Sequence, residues 1–159
     1  MNILAFETSG RAASVAVMKD KRLIGEMTVS TRLNHSEKLM PMIDELLEKT
    51  EISIKDIDAL AVGVGPGSFT GIRIGVSTAK GLAQALKIPI AAVSRLKALA
   101  CNGAYSDMLV CPIMDARRNQ VYSGVFRWEG TELVEVLKED AYDFKELLLV
   151  LDKKDCSVL

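Results

Sequence analysis

The chain has 159 residues, a net charge of −1 at pH 7, and 49% apolar against 26% charged residues. That length holds one ordinary domain or two small lobes with a real core. The near-neutral balance excludes a surface whose basic excess alone would bind nucleic acid, so any RNA contact has to be local or made by a partner.

The first residues, MNILAFE, have no basic stretch ahead of their apolar run and reach an acid at Glu7, which argues against a signal peptide. No run is long enough to span a membrane. Cys101, Cys111 and Cys156 are odd in number and lack CxxC spacing, so neither a disulfide framework nor a zinc site is indicated, and reduced cytosolic thiols are expected.

Residues 2–8, 12–19 and 22–30 read as three strands, with turn chemistry at Ser9-Gly10-Arg11 and Asp20-Lys21, so an antiparallel meander is expected. Leu39, Met42, Ile43, Leu46 and Leu47 then recur at helical spacing and mark one apolar face of a helix over about 36–51. Pro41 lies inside it and is expected to bend it or loosen its first turns. A strand over 58–65 follows.

Residues 63–75, GVGPGSFTGIRIG, come next and carry the densest signal in the chain. Gly63, Gly65, Gly67 and Gly71 allow positive φ angles and close backbone approach, Pro66 fixes its own φ, and Ser68 or Thr70 can cap the helix that runs on to Lys87. A glycine loop feeding a helix start leaves N–H groups that suit an anion. The same glycines better suit a tight strand-to-helix turn, and the lysine and hydroxyl of a GxxxxGK[ST] loop are absent. Gly71, Gly75, Ala79 and Ala83 are small and four apart, so this helix can approach a sheet or another helix closely.

A strand over 89–93 and a helix capped by Ser94 complete a βββαβαβα order, an α/β layered lobe expected over 1–105. The pattern restarts over 106–159, with strands at 108–114, 121–128 and 131–137 and a helix at 144–151. This second run of three strands echoes the first in order, though not in sequence.

Four blocks, FETSGRAASVAV at 6–17, NHSEKLMPMIDELL at 34–47, the glycine block and MDARRNQVY at 114–122, together resemble the TsaB (YeaZ) family of bacterial proteins. The resemblance implies the fold of actin, sugar kinases and heat-shock ATPases (ASKHA), with two duplicated α/β lobes. It further implies a non-catalytic, cytoplasmic partner of a TsaD-type paralogue, working with a TsaE-type ATPase, forming homodimers in isolation and meeting tRNA only through the complex. The assembly transfers a threonylcarbamoyl group to the adenosine beside the anticodon. Family members run on for several more elements, so the second lobe is expected to be truncated here.

The superfamily's ATP-binding members place an acid at the end of the first strand, and Glu7, Ser9, Gly65, Gly67 and Ser68 are the corresponding candidates for weak ATP or ADP binding. No cofactor is required by this reading, and a local hairpin turn, in which Thr8 and Ser9 satisfy backbone groups, is the simpler account. An autonomous ATP-binding kinase or ATPase is the alternative function. The catalytic TsaD-type relatives hold a metal with an HxxxH pair; here His35 is the only histidine and Leu39 stands four residues on. No metal ligand and no catalytic residue are therefore assigned, and a metallopeptidase lacks its ligand pair. Asp115, Arg117 and Arg118 end a second-lobe strand and suit phosphate, a partner's carboxylates, or a charged turn. Leu33, Leu39, Met40, Ile43, Gly71, Gly75 and Ala79 are the partner-binding candidates.

Overall fold

The computed structural model describes residues 1–30, 35–103 and 108–152, and 156–158 as backbone. Contacts divide the chain into two compact units, Met1–Val93 and Ser94–Leu159.

In the first unit, β1 (Asn2–Glu7), β2 (Ala12–Lys19) and β3 (Arg22–Ser30) form the meander, with Phe6 opposite Val15 and Val15 opposite Met27. Asp20 and Lys21 turn β2 into β3 with φ of 49° and 67°, the left-handed pair that two-residue hairpins require. α1 (His35–Lys49) leads to β4 (Ala59–Gly63), and α2 (Phe69–Leu86) leads to β5 (Ile90–Val93). The sheet order is β3-β2-β1-β4-β5, with β4 parallel to both β1 and β5. Alternate strand residues Leu4, Phe6, Val15, Val17, Leu60 and Val62 form one core with Leu39, Met42, Ile43, Leu46 and Leu47 of α1 and Ala79 and Ala83 of α2. The periods of two and 3.6 thus meet on one face. α1 runs unbroken through Pro41.

In the second unit, α3 (Arg95–Ala100) is capped by Ser94, whose Oγ accepts the Lys97 N–H at 3.3 Å. The strand expected at 108–114 is two strands, β6 (Leu109–Cys111) and β7 (Ile113–Arg117). Pro112 separates them: it has no N–H to give to the ladder, and its carbonyl accepts the buried Ser123 hydroxyl at 2.8 Å. β8 (Gln120–Glu129), β9 (Glu132–Asp143), α4 (Phe144–Leu151) and β10 (Cys156–Val158) follow. β9 runs six residues past the 137 expected for it, because its ladder with β8 continues to Asp143 opposite Gln120.

The echo read in the sequence is also one of pairing. β9, β8 and β6 run antiparallel as β3, β2 and β1 do, and β10 lies parallel to β6 as β4 does to β1. The expected lobe boundary at 105 falls outside the described residues, whereas the compact units divide at Val93 and Ser94. The reason is that Leu96 and Ala100 of α3 pack with Val110 and Phe126 of the second sheet.

Candidate functional site

The turn after β1 and the glycine loop are built into one another. Gly65, at φ 94°, holds a conformation that favours glycine, and a Cβ there would lie 2.7 Å from Ile72 Cδ1. A Cβ at Gly67 would stand 2.6 Å from the Ser9 carbonyl oxygen, and one at Gly63 would fall on the Glu7 carboxylate. The glycines therefore admit the chain's own Glu7-Thr8-Ser9 segment. Ser68 donates its N–H to the Ser9 carbonyl at 2.8 Å and caps α2 by accepting the Gly71 N–H on its Oγ at 3.2 Å. The buried Thr8 hydroxyl donates to the Gly71 carbonyl at 2.7 Å.

The structure thus brings together Glu7, Ser9, Gly67 and Ser68, but their groups serve one another. The N–H groups of Ser9, Ser68, Gly71 and Ile72 go to Glu7 Oε1, the Ser9 carbonyl, Ser68 Oγ and the Ser68 carbonyl. Those four donors are therefore occupied, with a carboxylate among them. One polar atom is left over: among the described residues, the buried Ser9 Oγ has no hydrogen-bond partner.

His35 begins α1, and its Nε2 lies 3.1 Å from the Gly10 carbonyl, tying the helix start to the β1–β2 turn. Leu39, one turn on, is 1% exposed and belongs to the core. Among the described residues no three His, Cys, Asp or Glu side chains gather as a metal site.

Most partner-binding candidates need correction. Leu39, Ile43, Gly71, Gly75 and Ala79 are buried in the first unit, because the small-residue face of α2 packs on Thr8 and Val62 rather than facing outward. A Cβ at Gly75 would sit 2.6 Å from Thr8 Oγ1, and one at Gly71 would collide with the Thr8 carbonyl. Met40 alone remains on the surface, and Leu33 lies outside the described residues. The sequence reading missed Phe69, which is 74% exposed on the opposite face of α2 with the Arg73 guanidinium 5.5 Å from its ring centroid. The signal was present: once Gly71 and Gly75 point inward, residues two positions earlier point outward.

In the second unit, Asp115, Arg117 and Arg118 meet in the β7–β8 hairpin, where Asp115 Oδ1 accepts the Arg117 N–H at 2.7 Å. Cys111 is buried with its Sγ 3.2 Å from Ser123 Oγ, and burial pushes its thiol pKa up against the opposing effect of that contact.

Comparison with known proteins gives a consistent result. A family model described as TsaD, tRNA N6-adenosine threonylcarbamoyltransferase, matches residues 22–155. The chain is 40% identical to the tRNA threonylcarbamoyladenosine biosynthesis protein TsaB of Bacillus subtilis over 100% of its own length and 69% of that relative. YeaZ from Pseudomonas aeruginosa superposes with a TM-score of 0.79 at 32% identity, over 89% of this chain and 66% of that one. The chain therefore spans about two thirds of the length of these relatives. A ROK hexokinase from Thermus thermophilus, at 16% identity and a TM-score of 0.51 over 84% of this chain and 49% of its own, shares the fold alone. The fold is that of the actin and sugar-kinase type.

Proposed function

The chain belongs to the TsaB (YeaZ) family, and from that membership we propose that it acts in tRNA threonylcarbamoyladenosine formation as a non-catalytic subunit. In this reading it pairs with a TsaD-type transferase, draws on a TsaE-type ATPase, forms a homodimer in isolation, and works in the cytoplasm. The observation that carries the pairing is the outward Phe69–Arg73 pair on α2. Aromatic and arginine side chains dominate the energetics of protein interfaces, and a phenylalanine this exposed gains most from being covered. The non-catalytic part rests on Leu39, a core residue where a metal-holding histidine pair would need its second imidazole.

The test is co-elution of the purified chain with a TsaD-type partner, together with restoration of the tRNA modification in an extract depleted of the endogenous protein. Success in both supports the reading, and failure in both overturns it.

A second reading, weak ATP or ADP binding near the glycine loop, is favoured by one atom, the orphaned Ser9 hydroxyl. Calorimetry with ATP and magnesium tests it: heat that vanishes in Ser9→Ala supports it, and no heat in the wild type removes it.

A further inference from the structure

The hairpin between β7 and β8 departs from what its backbone asks for. Arg117, Arg118 and Asn119 have φ of 66°, 50° and 62°, three successive residues in the left-handed region, and none of them is glycine. Arg118 and Asn119 form the two-residue turn, and Arg117 sits at the register shift just before it. Glycine or asparagine fits such positions with least strain, yet two arginines stand there. When a sequence accepts local strain without a packing gain, the side chains at that place are the reason to look for.

Both arginines are exposed, and among the described residues neither guanidinium has an ion-pair or hydrogen-bond partner. The hairpin beneath them is nevertheless well anchored. Asp115 holds the Arg117 N–H, the Asn119 carbonyl accepts the Phe144 N–H at 3.1 Å, and the Asn119 amide donates to Asp143 Oδ2 at 3.3 Å. These bonds set the exposed Phe144 and Lys145, at the start of α4, beside Asn119 in the hairpin turn. Of the nearby carboxylates, Asp115 accepts the Arg117 N–H and Asp143 accepts the N–H groups of Lys145 and Glu146 at 2.9 and 3.3 Å, while Glu146 is a third, exposed in the first turn of α4.

We infer that the Arg117–Arg118 hairpin, with Phe144 and Lys145, is a local contact site for single-stranded RNA, the guanidinium groups meeting phosphates and the phenyl ring offering a stacking face. Cations beside an aromatic ring are what an unpaired RNA loop requires. An acidic protein surface would use the arginines but would leave the exposed ring without a role. The inference takes its choice of RNA from the tRNA-pathway reading and goes beyond it by giving this chain a contact of its own.

The experiment is fluorescence anisotropy of a labelled tRNA anticodon stem-loop with the whole chain, over a salt series, beside thermal unfolding. The double variant Arg117→Gly, Arg118→Asn fits the backbone and is expected to be at least as stable as the wild type. It should lose RNA affinity about tenfold or more, with a log–log salt dependence shallower by about 1.4, the value for two single-strand phosphate contacts. Phe144→Ala should lose affinity about fivefold with the salt slope unchanged, because stacking carries no charge. Absence of RNA binding by the wild type at low salt overturns the inference, as does undiminished binding by the double variant. Capture of poly-glutamate in preference to the stem-loop also overturns it, since that assigns the hairpin to a protein. If the wild type restores the tRNA modification while the double variant binds RNA unchanged, this inference alone fails. If the wild type does not restore it, the pathway reading fails instead.

Discussion

A methyl group placed at Gly71 would fall on the carbonyl of Thr8, whereas one at Gly81, in the same helix, would meet nothing within 4 Å. The two substitutions are therefore expected to have opposite signs. Gly71→Ala forces backbone apart in a packed interior and should destabilise by about 1–3 kcal/mol. Gly81→Ala removes only the entropic cost of an exposed helical glycine and should stabilise by about 0.5–1 kcal/mol. Chemical denaturation of the two variants beside the wild type decides the matter, and equal effects would show that α2 does not lie against Thr8 as described. A second contrast concerns the thiols. Cys101 is exposed and Cys111 is buried, and burial raises the pKa of both, so exposure decides between them. With maleimide at neutral pH, peptide mass spectrometry should find Cys101 labelled in the native protein and Cys111 labelled only in denaturant.

At the scale of elements, most of the order was legible because its signals are local. α1 was readable from the Leu39, Met42, Ile43, Leu46 and Leu47 spacing, and all five are buried on one face. α4 was readable from a run whose two inward residues, Leu147 and Leu151, lie four apart. What escaped was set by neighbours: the break at Pro112 depends on the ladder with β8, and the unit boundary depends on which sheet α3 covers. The N-cap of α4 was also unread. The Asp143 carboxylate accepts N–H groups from Glu146 and Lys145, which hold its pKa below the ordinary aspartate value. Because the folded pKa is the lower one, the stabilisation is complete above the unfolded value of about 3.9 and is lost as pH falls through the folded value. Asp143→Asn keeps a capping oxygen that does not titrate. The melting temperature of the wild type relative to Asp143→Asn should therefore be level near neutral pH and fall below about pH 4. A constant difference across that range would show that the carboxylate makes no such cap.

For the whole molecule, family and fold were legible from four motif blocks taken together, but the α2 residues offered as a contact surface, Gly71, Gly75 and Ala79, lie in the core. Small residues four apart suit a core as well as an interface, and sequence has no means of choosing until the position of Thr8 is known. With Gly71, Gly75 and Ala79 buried in the first unit, the outward residues of α1 and α2 include Phe69, Arg73 and Met40. Phe69→Asp should leave stability within about 0.5 kcal/mol, as expected for an exposed site. Its effect on pairing should be large, about 2 kcal/mol or roughly thirtyfold in affinity, if the ring fills a pocket on a TsaD-type partner or a second copy. Met40→Asp provides an independent probe from α1, since its side chain is also exposed. Co-elution with the partner, sedimentation of the chain alone and thermal unfolding, measured on each variant, separate the outcomes. Loss of pairing at an unchanged melting temperature places the interface on the outward faces of α1 and α2. Retained pairing in both variants excludes those faces, because a charge buried at the centre of an interface without a partner is not tolerated.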